Sequence, residues 1–171
     1  SAASDVYKRQ VVTQDKNISD AVKKVVGPTC PVNHATDLDS AFSSLGEKQT
    51  AVIVADVASS SDAVIPVFKI LKREHPEILT IIVTHASDSE LVIELINQAQ
   101  VFRFLTKPLS ADLLRQHIKA ALVRYQAFVQ TPELTRSHAV APSRVDDSVA
   151  GTVIDKIRSV RNWLRPMFGR K

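Results

Sequence analysis

Two stretches of this chain are apolar at consecutive positions rather than alternate ones: Ala51-Val52-Ile53-Val54-Ala55 and Ile78-Leu79-Thr80-Ile81-Ile82-Val83, the second interrupted only by Thr80. A strand with one wet face alternates apolar and polar residues. A β-branched run without alternation belongs to a strand covered on both faces, as in parallel sheets with helical crossovers. Helical periods lie between these runs. Ile18 to Val26 reads as a helix ended by Gly27-Pro28, and Asp37 to Leu45 as a short one stopped by Gly46. Asp62 to His75 carries Val64, Val67, Phe68 and Leu71 on one stripe and stops before Pro76. Ser87 and Glu90 form a capping box ahead of Leu91, Ile93, Leu95 and Ile96. Ser110 caps a last helix with Leu113, Leu114, Ile118, Ala121 and Leu122 inside.

Three weaker strands complete the count: Val11-Val12, Pro31 to Ala35 and Val101 to Leu105. Five strand–helix units predict an α/β fold, a (βα)5 parallel sheet with helices on both faces. Right-handed crossovers leave few topologies, of which the flavodoxin-like strand order 2-1-3-4-5 is a common one. Ligands of such sheets sit at the carboxyl ends of the strands.

Those ends carry three chemically distinct groups. Asp56 follows the first buried run, Thr84 follows the second, and Lys107 follows the last strand, with Pro108 directly after it. Taken singly, Asp56 reads as a helix cap or a surface charge. An acid, a hydroxyl and an ammonium on adjacent strand ends suit phosphoryl transfer to a carboxylate. The Asp oxygen attacks, while the ammonium and hydroxyl hold the transferred oxygens. A divalent cation would neutralise the remaining charge.

On these residues the chain resembles the receiver (CheY-like) domains of response regulators. The segments Val52 to Asp56, Ile81 to Thr84 and Phe102 to Pro108 are similar to the three signature segments of that family. Ile96-Asn97-Gln98-Ala99-Gln100-Val101-Phe102-Arg103-Phe104-Leu105-Thr106-Lys107-Pro108 resembles one subgroup, often fused to cyclic-dinucleotide or transcriptional output domains. The resemblance implies that Asp56 accepts phosphate, that Thr84 moves toward it, that Lys107 pairs with it, and that Phe104 is an aromatic switch. Read without the resemblance, Phe104 is equally an ordinary core aromatic. The family also has a cis peptide before the residue matching Pro108.

Some positions depart from the family. Receivers end their first strand with acidic residues that bind Mg2+; here that stretch is Val11-Val12-Thr13-Gln14-Asp15, and only Asp15 is acidic. Asp15 and Asp56 with waters would form a weakened Mg2+ site; the competing reading of Asp15 is a helix-start charge. Ser60 and Val64 stand where a Pro and a Gly are usual, and His85 where a small residue is.

Charge divides the chain. Residues 149–171 hold six basic side chains and one acidic one, a net +5 within a chain of net +4, so the other 148 residues sum to −1. A near-neutral body argues against a nucleic-acid-binding face. Val153, Ile157, Val160, Leu164 and Met167 recur at spacings of four and three, predicting a separate basic amphipathic C-terminal helix. Its readings are partner docking or self-association, a membrane surface, or packing on its own domain, with the first favoured over the membrane. No helix-turn-helix scaffold precedes it, so a DNA-binding domain is not expected.

The organisation expected is a terminal scar of cloning or fragmentation over residues 1–10, a receiver domain over 11–129, a flexible linker over 130–148 containing Pro132 and Pro142, and the tail helix over 149–171. One cysteine and no apolar run of ~18–20 residues point to a cytoplasmic protein. Four glycines form no phosphate loop, which argues against a nucleotide-dependent enzyme. The expected function is a non-enzymatic receiver in a phosphorelay. Its partners would be a histidine kinase or phosphotransfer protein and an output protein on the face of the fourth helix, fifth strand and fifth helix, with a homodimer as a further possibility. The alternative is a pseudo-receiver, the same fold acting as a phosphorylation-independent interaction module.

Overall fold

The computed structural model describes residues 8–12, 15–28, 31–43, 45, 50–57, 64–85, 87 and 89–136. Within them the chain alternates β1 (Lys8–Val12), α1 (Lys16–Val26), β2 (Val32–Ala35), α2 (Leu38–Ser43), β3 (Thr50–Asp56), α3 (Val64–Glu74), β4 (Leu79–Thr84), α4 (Ser89–Ala99), β5 (Arg103–Thr106) and α5 (Ala111–Gln130). A short turn of helix, α6 (Glu133–Arg136), follows. The five strands form one sheet in the order β2-β1-β3-β4-β5, and every neighbouring pair is parallel.

The two unbroken apolar runs are the strands that the helices sandwich. In β3, Ile53 and Ala55 join a core with Val67, Phe68 and Leu71 of α3 and Leu95 of α4. Val52 and Val54 face the other way, into a core with Ile18 and Val22 of α1 and Leu114, Ile118, Tyr125 and Phe128 of α5. β4 divides likewise, Ile82 to the first core and Ile81 and Val83 to the second. The period-2 geometry of a strand turns a continuous apolar sequence into two separate cores.

Helix starts follow from short polar caps. Asp15 Oδ1 accepts the Asn17 N–H at 2.8 Å, Asp37 Oδ1 accepts the Ser40 N–H at 2.7 Å, and Ser110 Oγ accepts the Leu113 N–H at 3.4 Å. Helix ends differ in their chemistry. After α1, Gly27 takes φ of +72° and its N–H reaches Lys23 O at 3.1 Å. After α4, Gln100 also takes a positive φ, +47°. A side chain there crowds the following carbonyl, which glycine avoids.

Several expectations need correction. β1, expected at Val11-Val12, begins at Lys8 and pairs with both β2 and β3. Leu113, expected inside, is 47% exposed; the apolar face of α5 runs through Leu114 and on to Tyr125 and Phe128. Adjacent residues differ by 100° around a helix, so Leu113 and Leu114 cannot both face the sheet. α4 starts at Ser89, too late for Ser87 to be its N-cap. α5 runs to Gln130, and the helical turn Glu133–Arg136 occupies the start of the span read as linker. The rest of that linker, the tail helix, Thr13, Gln14 and Ser60 lie outside the described residues.

Replacing Gln100 by Gly is expected to raise stability by roughly 0.5–1 kcal/mol, and replacing Gly27 by Ala to lower it by about 1 kcal/mol. Urea unfolding, read as a shift of midpoint at constant slope, checks both.

Candidate functional site

Two backbone hydrogen bonds beyond the strand ladders tie the carboxyl ends of β3, β4 and β5 together. The Val57 N–H donates to Val83 O and the Lys107 N–H to Thr84 O, each at 2.9 Å. They hold the three sequence-predicted residues at one mouth of the sheet. Asp56 ends β3 and stands opposite Val83 in register, Thr84 ends β4 opposite Thr106, and Lys107 follows β5.

The Lys107 ammonium meets both oxygens of Asp56, at 2.9 Å to Oδ1 and 3.0 Å to Oδ2. The two side chains are 15% and 24% exposed, Asp56 the less so. This is a partly dehydrated, charge-assisted pair, which is stronger than a surface salt bridge. The Lys107–Pro108 peptide is cis, as the resemblance implied.

Thr84 is 1% exposed. Its side chain is enclosed at the end of β4. Phe104 lies opposite Ile82 on the neighbouring strand and packs against the core that α3 and α4 cover. Thr84 and Phe104 are thus on adjacent strands, two register positions apart. His85 is exposed and lies beyond the end of β4.

Asp15 sits at the same edge of the sheet as Asp56. It follows β1, whose last residue Val12 is opposite Ala55. One of its oxygens is engaged by the Asn17 N–H. Among the described residues no group of three or more His, Cys, Asp or Glu could hold a metal ion. Asp56 and Asp15 are the carboxylates that would hold Mg2+ at this end of the sheet, with water as the remaining ligands.

The sequence reading missed a second gathering of charge. Lys72 of α3, Arg103 of β5 and Arg124 of α5 line one groove at the opposite end of the sheet. They are far apart in sequence and no motif links them.

Removing the ammonium would strand the Asp56 carboxylate in a partly dry mouth. Lys107→Met is expected to lower stability by about 1–3 kcal/mol, the range for a lost hydrogen bond to a charged group. Calorimetry of the variant beside the parent chain checks it.

Comparison with known proteins agrees with this geometry. Residues 10–119 match the model of the response regulator receiver domain. A signal receiver domain of an HD domain-containing protein from Pseudomonas fluorescens superposes with a TM-score of 0.65 at 16% identity, covering 74% of this chain and 94% of that one. An adenylate cyclase structure from Rhodopirellula baltica gives 0.65 at 20% identity, covering 77% and 98%. A response regulator from Thermotoga maritima gives 0.62 at 19% identity, covering 69% and 98%. No curated protein matches the chain. At such identities the structural likeness speaks for the fold, and the family model speaks for the family. With its sheet, its Asp56–Lys107 pair and its matched residues 10–119, the chain belongs to the response regulator receiver domains.

Proposed function

We propose that this receiver takes part in a phosphorelay, accepting a phosphoryl group on Asp56 and signalling through protein contact. The observation that carries the reading is the Asp56 carboxylate held by the Lys107 ammonium at 2.9 and 3.0 Å, beside a buried Thr84 on the next strand. An Asp56 oxygen attacks phosphorus and forms the new P–O bond. The bond from phosphorus to the donor breaks, and the donor leaves with that electron pair. The donor is the phosphohistidine of a histidine kinase or phosphotransfer protein. Lys107 holds both carboxylate oxygens, so it gives up one as attack begins and takes a phosphoryl oxygen instead. Bound Mg2+ on Asp56 and Asp15 would neutralise phosphoryl charge.

Readout follows from the enclosed Thr84. Moving its hydroxyl to the phosphoryl group vacates space on the α4 side of the sheet, and Phe104 fills it. The face of α4, β5 and α5 then changes shape, and a partner or a second copy reads the change. Ile93 and Ile96 of α4 and Val123 of α5 are exposed apolar residues that such a contact would cover. The role is signalling in the cytoplasm, without substrate turnover. Among the described residues no helix is long and apolar enough to cross a membrane.

One observation favours a phosphorylation-independent receiver. Asp15, the acid remaining after β1, already caps α1 through Asn17. Asn caps a helix as well as Asp does but is a poorer magnesium ligand. Asp15→Asn therefore separates the two roles: stability is expected to stay level while Mg2+-dependent phosphorylation slows. An unchanged rate would leave Asp15 as a cap alone.

Incubation with acetyl phosphate and Mg2+, followed by intact mass, tests the main reading. A gain of one phosphoryl group is expected, abolished by Asp56→Asn and slowed about a hundredfold by Lys107→Met. A folded chain that gains no mass assigns the domain to phosphorylation-independent contact.

A further inference from the structure

At the foot of the sheet, where β4 and β5 begin, a groove of about 760 Å³ lies between the last turn of α4 and the second half of α5. Asp56 is at the other end of the sheet, since all strands run parallel and it closes β3. Sites for small molecules run from about 300 to about 1,000 Å³, so the groove has the size of one.

Its chemistry has two parts. Lys72, Arg103 and Arg124 bring three positive charges, and no carboxylate is among the described residues that line it. Much of the remaining lining is apolar, with Leu79 and Val101 near the strand starts and Ala120 and Ala127 on α5. Those alanines stand two helical turns apart, hence on one face of α5, and their short side chains keep that wall low.

The cations are held in place. The Arg103 guanidinium lies 4.3 Å from the Phe102 ring centroid and donates to Phe102 O at 2.8 Å. A guanidinium has more N–H donors than that bond uses, all in one plane, and such a fork matches two phosphate oxygens. Arg124 and Lys72 approach one ring, that of Phe128, at 5.1 and 5.7 Å. The Lys72 ammonium also donates to Pro76 O at 2.9 Å. Burial lowers the Lys72 pKa most, Glu77 offsets part of this, and the Arg124 charge adds to it. Two cations over one ring disfavour each other's charge, and an anion bound beside both relieves that.

We infer that this groove binds a small organic diphosphate of nucleotide size. Its phosphoryl oxygens meet Arg103, Arg124 and Lys72, and its flat organic body lies along the wall of Ala120 and Ala127. One phosphate group carries at most about two negative charges, fewer than the cations of the groove, so a diphosphate suits it better than a monophosphate. Inorganic phosphate alone leaves the apolar wall in water, and covering that wall is what calls for an organic body. The ligand is a diffusing molecule, so the inference stands apart from phosphotransfer at Asp56 and from the protein contact proposed above.

The test titrates the full chain, in EDTA, with ADP, UDP, inorganic pyrophosphate and adenosine, followed by calorimetry and amide NMR shifts. At least one nucleotide is expected to bind about tenfold or more tighter than pyrophosphate and adenosine, and to shift residues 100–103 and 120–128. Arg103→Gln with Arg124→Gln should weaken it at least about tenfold. Ala127→Leu should block it by filling the groove with no change of charge; its melting is read alongside, and Ala120→Leu replaces it if that variant unfolds. Asp56→Asn should leave the affinity unchanged, so failure here and failure of the phosphorylation assay are separate results. Absence of binding by both nucleotides overturns the proposal. Pyrophosphate binding as tightly as either nucleotide also overturns it, since the groove is then an ion-attracting surface only. Shifts confined to residues around Asp56, or affinity untouched by the arginine pair, overturn it as well. So does tighter binding to vesicles of anionic phospholipid than to either nucleotide, which assigns the cations to a lipid headgroup.

Discussion

The two-sided burial of β3 and β4 is the constraint on which the other features depend. Each strand has helices on both faces, so neither can slide by one residue without turning an apolar set outward. Their register is therefore rigid. It delivers Asp56 and Thr84 to one level of the sheet, and the bonds Val57 N–H to Val83 O and Lys107 N–H to Thr84 O carry that level across to β5. A carboxylate and an ammonium on residues 56 and 107 then meet at 2.9 Å with no local sequence linking them.

That pair sets the chemistry of the mouth. It places a carboxylate and its counter-charge together in partial exclusion from water, where their interaction is stronger than at an open surface. Thr84, at the end of the neighbouring strand, is enclosed. A group that draws the hydroxyl out must be matched by a rearrangement in the packing behind it, where Phe104 lies against the α4 core. The opposite end of the sheet has another character: Lys72, Arg103 and Arg124 lie beside exposed Ile96 and Val123, on strand starts and helix ends remote from Asp56.

Much of this was legible in the sequence where one local rule dominated. The runs 51–55 and 78–83 marked the buried strands, because only a two-sided environment favours unbroken β-branched residues. Asp56, Thr84 and Lys107 were legible because the strand ends are where such sheets place ligands. Elsewhere two rules competed. Leu113 and Leu114 both fitted a helical period, and the docking angle of α5 chose Leu114. Lys8, Arg9 and Gln10 are too polar for a central strand by pattern, yet Lys8 pairs with β3 and Arg9 and Gln10 pair on both sides. Ser87 and Glu90 had the spacing of a capping box, but α4 begins at Ser89.

The sequence by itself determined the class of fold and which polar groups stand at the strand ends, because periodicity and strand-end chemistry are local properties. It determined that Asp15 is the acid left after β1. Only the tertiary structure decided that Asp15 caps α1, that Lys107 contacts both oxygens of Asp56, and that Thr84 is enclosed. It alone assembled Lys72, Arg103 and Arg124 into one groove. Distances between residues remote in the chain follow from how layers pack, and packing depends on every side chain between them.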